Sequence, residues 1–427
     1  MMMFVRSGFS GGVSSSRKTV VAVAGCALWM ASGAHAADIN AISEATSAAD
    51  ATEAAQPEDP GGESIVVTGE RYRINTLNSR LPDVRDAPQS ISIIPREIIE
   101  QQAAATLNDV LRNVSGISMA AGEGGGGPAG DNLTLRGFGA RNDIFVDGTR
   151  NFASYTRDTF TIEQVEVVKG PASAQTGRGS TGGYINLFSK QPQARTFVTG
   201  TAGLGLPSYE RATLDVNLGG EQVGLGGGVA LRINALYHDT DTPGRDHVET
   251  HRIGIAPSIA IGLGTSTRAI LSYFRLEQDN VPDYGIPFIP NTNTNPPLAD
   301  FLDEPAPVDY DNYYGLLERD YEETTANIAT FALEHDLTND IRIANTTRYG
   351  YATRDSIYSA PRFALIVTDP PTTNTGLLVN PQTQSRDTVD KIWFNQTKLF
   401  AEFATGAVRH DAIAGFEISR ERSRNQL

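Results

Sequence analysis

The chain has 427 residues, of which 20% are charged, and its formal net charge is −15. This acidic balance excludes a typical nucleic-acid binder, which needs a basic face. The single cysteine, Cys26, excludes an intrachain disulfide and a metal site built from several cysteines.

Residues 1–36 have the features of an export signal. Arg17 and Lys18 precede the apolar run TVVAVAGCALWM, and the small-x-small sequence AHA at residues 34–36 follows it. A membrane anchor would need about 20 apolar residues, so a cleaved signal peptide is favoured. Processing as a lipoprotein at Cys26 is the less favoured alternative, because the apolar run continues past this residue.

Residues 37–85 are predicted to form a flexible arm. Its first part, residues 37–62, combines low hydrophobicity with many charged residues, a composition that cannot build a core. The arm contains the β-forming peptide SIVVTGE at residues 64–70. This peptide is either the first strand of the next domain or a segment that pairs with the sheet edge of another protein.

Residues 86–192 are predicted to form an α+β domain. ISIIP at residues 91–95 predicts a strand, and REIIEQQ after it predicts a short helix. Thr106 and Asp109 resemble a capping box at the start of a second helix, and a glycine run at residues 122–130 predicts a loop. Two further strands are expected near residues 162–168 and 183–189.

The stretch LTLRGFGARNDIFVDGTR, residues 133–150, lies in the middle of this domain. Its apolar residues alternate with polar ones in two short runs, and Asp147-Gly148 is a turn signal after the second run. The stretch therefore predicts a hairpin-like unit of two strands.

Residues 193–427 are predicted to form antiparallel strands with period-2 alternation. The pattern suits either a soluble sandwich or the strands of a transmembrane barrel. Short turns such as GLGTS alternate with long connections, which favours an outer-membrane barrel. Nine strands are expected, near residues 195–204, 209–219, 225–238, 250–262, 266–279, 324–336, 340–353, 388–403 and 408–423. Because bacterial single-chain barrels have an even strand number, we expect a sequence truncated within the barrel.

Two aromatic pairs are candidates for the interfacial girdles of such a barrel. They are Tyr273-Phe274 and Trp393-Phe394, each within a predicted strand.

Several phrases in residues 86–192 resemble the plug domain of TonB-dependent siderophore receptors of the Gram-negative outer membrane. They are DAPQSISIIP, TLNDVLRNVSGI, LTLRGFGARNDIFVDG, QVEVVKGPASAQTGRGSTGGYIN and SKQP. The third phrase is most similar to receptors of the catecholate type. The resemblance implies an α+β plug domain followed by an antiparallel transmembrane β-barrel, which has 22 strands in the family.

The same resemblance implies energy-coupled import of a ferric siderophore by a monomer. No nucleophile triad or pair of catalytic carboxylates stands out in the sequence, so an enzyme is not expected. The cargo is then an Fe(III)-siderophore chelate, and no resident cofactor is expected. The expected partners are TonB with its inner-membrane energising complex, the siderophore and outer-membrane lipid. The resemblance identifies part of the β-forming peptide as the TonB box, comprising Ile65, Val66, Val67, Thr68 and Gly69.

The resemblance also places candidate contacts with cargo on plug loops and on one external loop. Arginine offers fixed charge and forked donors, and aromatic rings offer flat apolar faces, tyrosine with a hydroxyl. The candidates are Arg141, Asn142, Tyr155, Arg157, Tyr284, Phe288, Tyr313 and Tyr314. The alternative for each loop aromatic is packing against a neighbouring loop.

A second set of charged residues is expected to form ion pairs between plug and barrel. The set comprises Arg136, Arg178, Glu163 and Glu166. The alternative is that these charges are simply solvated.

Three other functions are alternatives to siderophore import. A receptor of the same build would take up haem, cobalamin or a carbohydrate. A passive pore would work without the TonB box. A fragment with missing strands would be inactive, because an unpaired sheet edge in lipid is costly.

Overall fold

The computed structural model describes residues 89–119, 130–151, 153–176, 180–206, 208–291, 296–363 and 379–426. The predicted signal peptide, the arm with its TonB box, most of the glycine run and Arg178 lie outside these ranges. All the described residues lie within one compact unit, Glu70–Leu427, which has an N-terminal and a C-terminal part.

The N-terminal part, residues 89–190, is an α+β domain that we call the plug domain. Its elements are β1 (Ser90–Pro95), α1 (Arg96–Gln101), α2 (Leu107–Leu111), β2 (Ile117–Met119), β3 (Leu133–Leu135), β4 (Phe138–Gly139), β5 (Ile144–Val146), β6 (Thr149–Arg150), β7 (Ile162–Lys169), α3 (Ser173–Thr176) and β8 (Gly183–Ser189). A five-stranded sheet has the order β1-β7-β8-β5-β6, and a three-stranded sheet has the order β2-β3-β4. The predicted α+β character of this region is confirmed.

Local chemistry accounts for the boundaries of α2. The Thr106 hydroxyl accepts a hydrogen bond from Asp109 N at 3.2 Å, and the Asp109 carboxylate accepts one from Thr106 N at 2.9 Å. This reciprocal pair satisfies amides that the first helical turn leaves free. The helix buries Leu107, Val110 and Leu111 in the main plug core. The predicted capping box is confirmed.

The prediction of one hairpin-like unit at residues 133–150 is wrong. β3 pairs with β4 and belongs to the three-stranded sheet, whereas β5 pairs with β6 and with β8 in the five-stranded sheet. Each apolar run therefore starts its own tight hairpin. Arg136 and Asp147 in the two turns both have positive φ, at 52° and 49°.

The C-terminal part is a nine-stranded antiparallel sheet that we call the barrel sheet. Its strands, in spatial order, are β9 (Phe197–Gly205), β10 (Tyr209–Gly219), β11 (Val229–Asp241), β12 (Glu249–Ile261), β13 (Thr267–Asn280), β16 (Tyr321–Asp336), β17 (Ile341–Phe363), β18 (Val379–Thr405) and β19 (Val408–Gln426). All nine predicted strands are confirmed within the described residues. β17 and β18 reach about ten residues farther toward the long loops than predicted.

The two faces of the barrel sheet have opposite character. The face toward the plug domain carries buried polar side chains, including Arg232, Arg252 and Arg348. The opposite face exposes large apolar side chains, including Ile253 and Phe416. This arrangement inverts the pattern of a soluble protein and matches the apolar outer band of a membrane barrel. In the described part of the chain, no helix is both long and apolar enough to cross a membrane.

The prediction that both members of each aromatic pair lie in the girdles is wrong. Tyr273 and Trp393 face outward and are 40% and 43% exposed. Their neighbours Phe274 and Phe394 face the interior, because successive side chains of a strand point to opposite faces.

A long loop between β13 and β16 covers one end of the barrel sheet. It contains β14 (Phe288–Ile289) paired with β15 (Glu304–Pro305) around a small apolar core that includes Ile289 and Ala306. The carboxylate of Asp283 in this loop accepts two hydrogen bonds from Arg245, at 2.8 and 2.9 Å. The loop is therefore built against its neighbour rather than projecting alone.

Candidate functional site

The plug domain meets the barrel sheet through residues 153–161, which we call the docking segment. This segment connects β6 to β7. The Asp158 carboxylate accepts a hydrogen bond from Phe160 N at 3.0 Å and thereby caps a short 3-10 turn. Leu107 N at the start of α2 donates to the carbonyl oxygen of Arg157 at 2.9 Å. The docking segment is therefore fixed to the plug core on one side and free to contact the barrel on the other.

Asp158 forms a two-pronged ionic contact between the two parts. Its buried carboxylate accepts hydrogen bonds from Arg211 Nη1 and Nη2 at 2.9 and 2.7 Å. Arg252 Nη1 lies 3.5 Å from the same carboxylate. Two-pronged arginine–carboxylate contacts are strong and directional. They attach the docking segment to β10 and β12 at once.

Thr156 makes a second attachment through its backbone. Thr156 N donates to Gln278 Oε1 at 3.2 Å, and Gln278 Nε2 donates to Thr156 O at 2.6 Å. Thr324 Oγ1 donates to the same Gln278 oxygen at 2.8 Å and fixes the orientation of the amide. A side-chain amide on β13 thus pairs with the docking segment as a neighbouring strand would.

Tyr155 and Arg157, both predicted contacts with cargo, lie inside this interface. Arg157 is 5% exposed, and its guanidinium donates to the Asp131 carboxylate at 2.8 Å and to Asn151 O at 2.8 Å. It also lies 4.7 Å above the Tyr155 ring, which is 4% exposed and packs near Phe274. Contact with cargo would require this segment to open, and the assignment stays a prediction.

Arg141 and Asn142, the other predicted plug contacts, lie in a 3-10 turn before β5. The Arg141 guanidinium donates to the Ser154 hydroxyl of the docking segment. Asn142 is exposed, and its carbonyl oxygen accepts a hydrogen bond from Arg150 Nε at 2.7 Å. Arg150 also pairs with Glu421 on β19 at 2.9 Å. Asn142 is open to a ligand at the plug surface, whereas Arg141 is half-buried, and the role of both residues stays a prediction.

The four predicted residues of the long loop differ in accessibility. Phe288 is 48% exposed, whereas Tyr313 is 8% exposed. The Tyr284 ring stacks on Tyr358 at 6.0 Å, and Tyr314 OH donates to a carbonyl oxygen of its own loop at 2.6 Å. The structure therefore places Tyr284 against Tyr358 of β17 and buries Tyr313.

Asp320 organises this end of the molecule. Its carboxylate accepts hydrogen bonds from Ser359 N at 2.8 Å and from Tyr313 OH at 3.3 Å. Arg319 Nε also donates to it at 2.9 Å. Burial, followed by the negative charge of Asp320, raises the pKa of Tyr313 above its usual range. Asp320 thereby joins the long loop to the β17–β18 hairpin.

The predicted plug–barrel charges behave differently from one another. Glu163 lies 3.7 Å from Arg232 of β11, so this carboxylate does face a barrel cation. Glu166 is buried in the plug sheet and accepts a hydrogen bond from Gln164 at 2.8 Å. Arg136 is exposed and, among the residues the structure describes, makes no ion pair, so its pairing with a barrel carboxylate is not observed.

Several residues of the interface were missed by sequence reasoning. They are Asp158, Arg211, Arg252 and Gln278, together with Arg348, which donates to Val146 O at 2.6 Å. The available signal was the inward position of charged residues in strands of period 2. That signal identifies a polar inner face, but it does not say which plug residue meets each charge.

Residues 83–184 match the family model described as TonB-dependent Receptor Plug Domain. The chain is 39% identical over 350 residues to the catecholate siderophore receptor Fiu of Escherichia coli strain UTI89, which covers 80% of this chain and 45% of the relative. It is 38% identical over 340 residues to the probable TonB-dependent siderophore receptor PiuA of Acinetobacter baumannii, with 79% and 43% covered. The chain thus spans less than half the length of these curated relatives.

The fold is also similar to a solved structure. The crystal structure of the ferric-catecholate import receptor Fiu from Escherichia coli K12, in its open form, has a TM-score of 0.73 and 35% sequence identity. The similarity covers 80% of this chain and 50% of that one. The order of a plug domain and then barrel strands is therefore common to both.

Proposed function

We propose that this chain, whose residues 83–184 match the TonB-dependent receptor plug domain, acts in energy-coupled import of a ferric siderophore. It is located in the Gram-negative outer membrane, as its relatives and the apolar outer face of its sheet indicate. The relatives named as catecholate receptors support a catecholate chelate as cargo.

The observation that carries this proposal is the polar attachment of the docking segment inside the barrel sheet. Asp158 and Thr156 bind barrel side chains through hydrogen bonds and ion pairs, beside a small apolar cluster that includes Tyr155 and Phe160. A buried ion pair adds little net stability, yet it holds a specific geometry. Such contacts suit a plug that closes the lumen and is later displaced.

Displacement requires work, and the proposed source is TonB pulling on the TonB box at residues 65–69. An extended peptide pairs with a partner's sheet edge through backbone hydrogen bonds, so several bonds share a pull along the strand. The arm between this peptide and the plug domain, which the sequence predicts to be flexible, would transmit the force. We therefore propose TonB with its inner-membrane complex as the partner.

The test uses an iron-starved bacterium that lacks its own siderophore receptors and expresses the native locus of this chain. The measured quantity is growth. Ferric catecholate, ferric hydroxamate and haem are supplied separately as the sole source of iron. We expect rescue by a ferric catecholate and loss of rescue when residues 64–70 are deleted. Deletion of the equally long segment 44–50 in the same arm is the control. Rescue by none of the ferric chelates would refute siderophore import, and rescue that survives deletion of residues 64–70 would indicate a passive pore.

A further inference from the structure

On the inner face of the barrel sheet, residues that pair across adjacent strands form rows that run from strand to strand. One row is polar and runs through His238, Arg252, Gln278, Thr324 and Arg354, each paired with the next across adjacent strands. All five are buried beneath the plug domain or the loops. This is the row that binds Asp158 and Thr156 of the docking segment.

The neighbouring row on the same face, two residues along each strand and farther from the long loops, is apolar. It runs through Leu236, Gly254, Leu276, Ala326 and Ala352, which are again consecutive cross-strand partners. Each is 9% exposed or less, or is a buried glycine. An apolar band across a polar lumen requires an explanation, because the lumen wall of a membrane barrel is ordinarily polar.

Phe160 of the docking segment occupies this band. Its ring stacks on Phe274 of β13, with centroids 5.9 Å apart and planes 27° apart. A Cβ at Gly254 would lie 2.7 Å from Phe160 Cζ, so the glycine leaves the space that the ring fills. Gly254, Leu276 and Phe274 thus form a slot for one aryl ring, which we call the Phe160 slot.

Movement of the docking segment would empty this slot. The proposed import requires such movement, because the docking segment is attached to the inner wall of the barrel. The emptied slot keeps an aromatic ring for stacking and the Arg252 cation in the adjoining row. Arg252 Nε has no hydrogen-bond partner among the described residues. An aryl ring that carries negatively polarised oxygens matches both features.

We propose that the Phe160 slot is a transit site that binds an aryl ring of the cargo after the docking segment has moved away. This inference rests on the proposed import function. The cargo ring would take the place of the Phe160 ring on Phe274, which offsets part of the cost of uncovering the apolar row. The site lies on the barrel wall and does not include the exposed predicted contacts Asn142 and Phe288. Tyr155, another predicted contact, packs near Phe274 and belongs to the docking segment that moves away.

The test is the maximal rate of ferric tris-catecholate uptake, normalised to the amount of receptor in outer membranes. Phe274→Leu keeps an apolar side chain and removes the stacking partner. Stacking between two such rings changes a binding equilibrium by about two- to tenfold, so we expect the uptake rate to fall by that factor. The dissociation constant for cargo at the cell surface should not change. Phe274→Tyr keeps the ring and should restore the rate.

Tyr273→Leu is the matched control, because Tyr273 is the neighbouring aromatic residue on the same strand and faces outward. Its uptake rate should equal that of the wild type. An unchanged rate in Phe274→Leu would overturn the transit site while import itself stands. A fall accompanied by new sensitivity to a large antibiotic would also overturn it, because it would show a loosened plug. Absence of uptake by the wild type would overturn the import function and the slot together.

Discussion

Asp158→Asn tests how the plug domain is held. The substitution preserves shape and removes the negative charge that Arg211 and Arg252 share. The three side chains are 0%, 11% and 4% exposed, so water cannot replace the lost partner without rearrangement. Removing one partner of a buried ion pair costs about 3–5 kcal/mol. Two arginines would then remain beside an uncharged amide.

This cost should appear as more frequent opening of the docking segment. Each 1.4 kcal/mol changes an equilibrium about tenfold, so opening should become roughly a hundred- to several-thousand-fold more frequent. Native-state hydrogen exchange of peptides covering residues 153–161 measures this quantity in purified protein. The plug core around α2 should exchange as in the wild type, because its apolar contacts are untouched.

Glu100→Gln is the control for a charge that is removed from a partly exposed pair. Glu100 pairs with Arg96 on α1 and is 53% exposed. Its removal should cost less than about 0.5 kcal/mol and leave the exchange of residues 153–161 unchanged. If Asp158→Asn behaved like Glu100→Gln, the argument that buried charge pairing holds the plug would be refuted.

Three further predictions address the amide contact, the glycine positions and the external loop. Gln278→Leu should accelerate exchange of the same peptides, because Thr156 N and O would lose their partner at about 1–3 kcal/mol for each buried group; wild-type exchange would contradict this. Gly183→Ala should abolish accumulation of the protein in the outer membrane, because φ is +125° and a Cβ would lie 1.9 Å from a carbonyl oxygen. Gly139→Ala is the control and should accumulate normally, because a Cβ there meets no atom within 4 Å. The pKa of Tyr313 in the folded protein is raised above its ordinary value of about 10. The contribution of the neutral phenol to stability is therefore fully present below about pH 10 and is lost as the pH rises beyond that value. Loop proteolysis should therefore increase in alkaline buffer, and this increase should be absent in Tyr313→Phe; an equal increase in both proteins would show that another group titrates.

Local patterns were sufficient for many, but not all, elements of the fold. The Thr106–Asp109 capping box, the strand at residues 183–189 and the nine barrel strands all follow from interactions between residues close in sequence. Caps involve neighbours three residues apart, and strand alternation reflects the two faces of a single sheet. No distant partner has to be known for such features.

Pairing between distant segments was not accessible in this way. The stretch at residues 133–150 has the composition of one hairpin, yet its two apolar runs join different sheets. Tyr273 and Phe274 look like one aromatic pair in the sequence, yet one faces outward and the other contacts Phe160. In both cases the choice depends on surfaces contributed by other parts of the chain.

The sequence by itself determined which residues alternate, which helices are capped and that the chain resembles a plugged outer-membrane barrel. Only the tertiary structure decided that Asp158 rather than Arg136 carries the ionic attachment, and that Phe160 fills the space left by Gly254. The physical reason is that a charge or ring gains its energy from a partner at a few ångströms. Arg211 and Gly254 are 53 and 94 positions away from the residues they meet, and no local pattern encodes that approach.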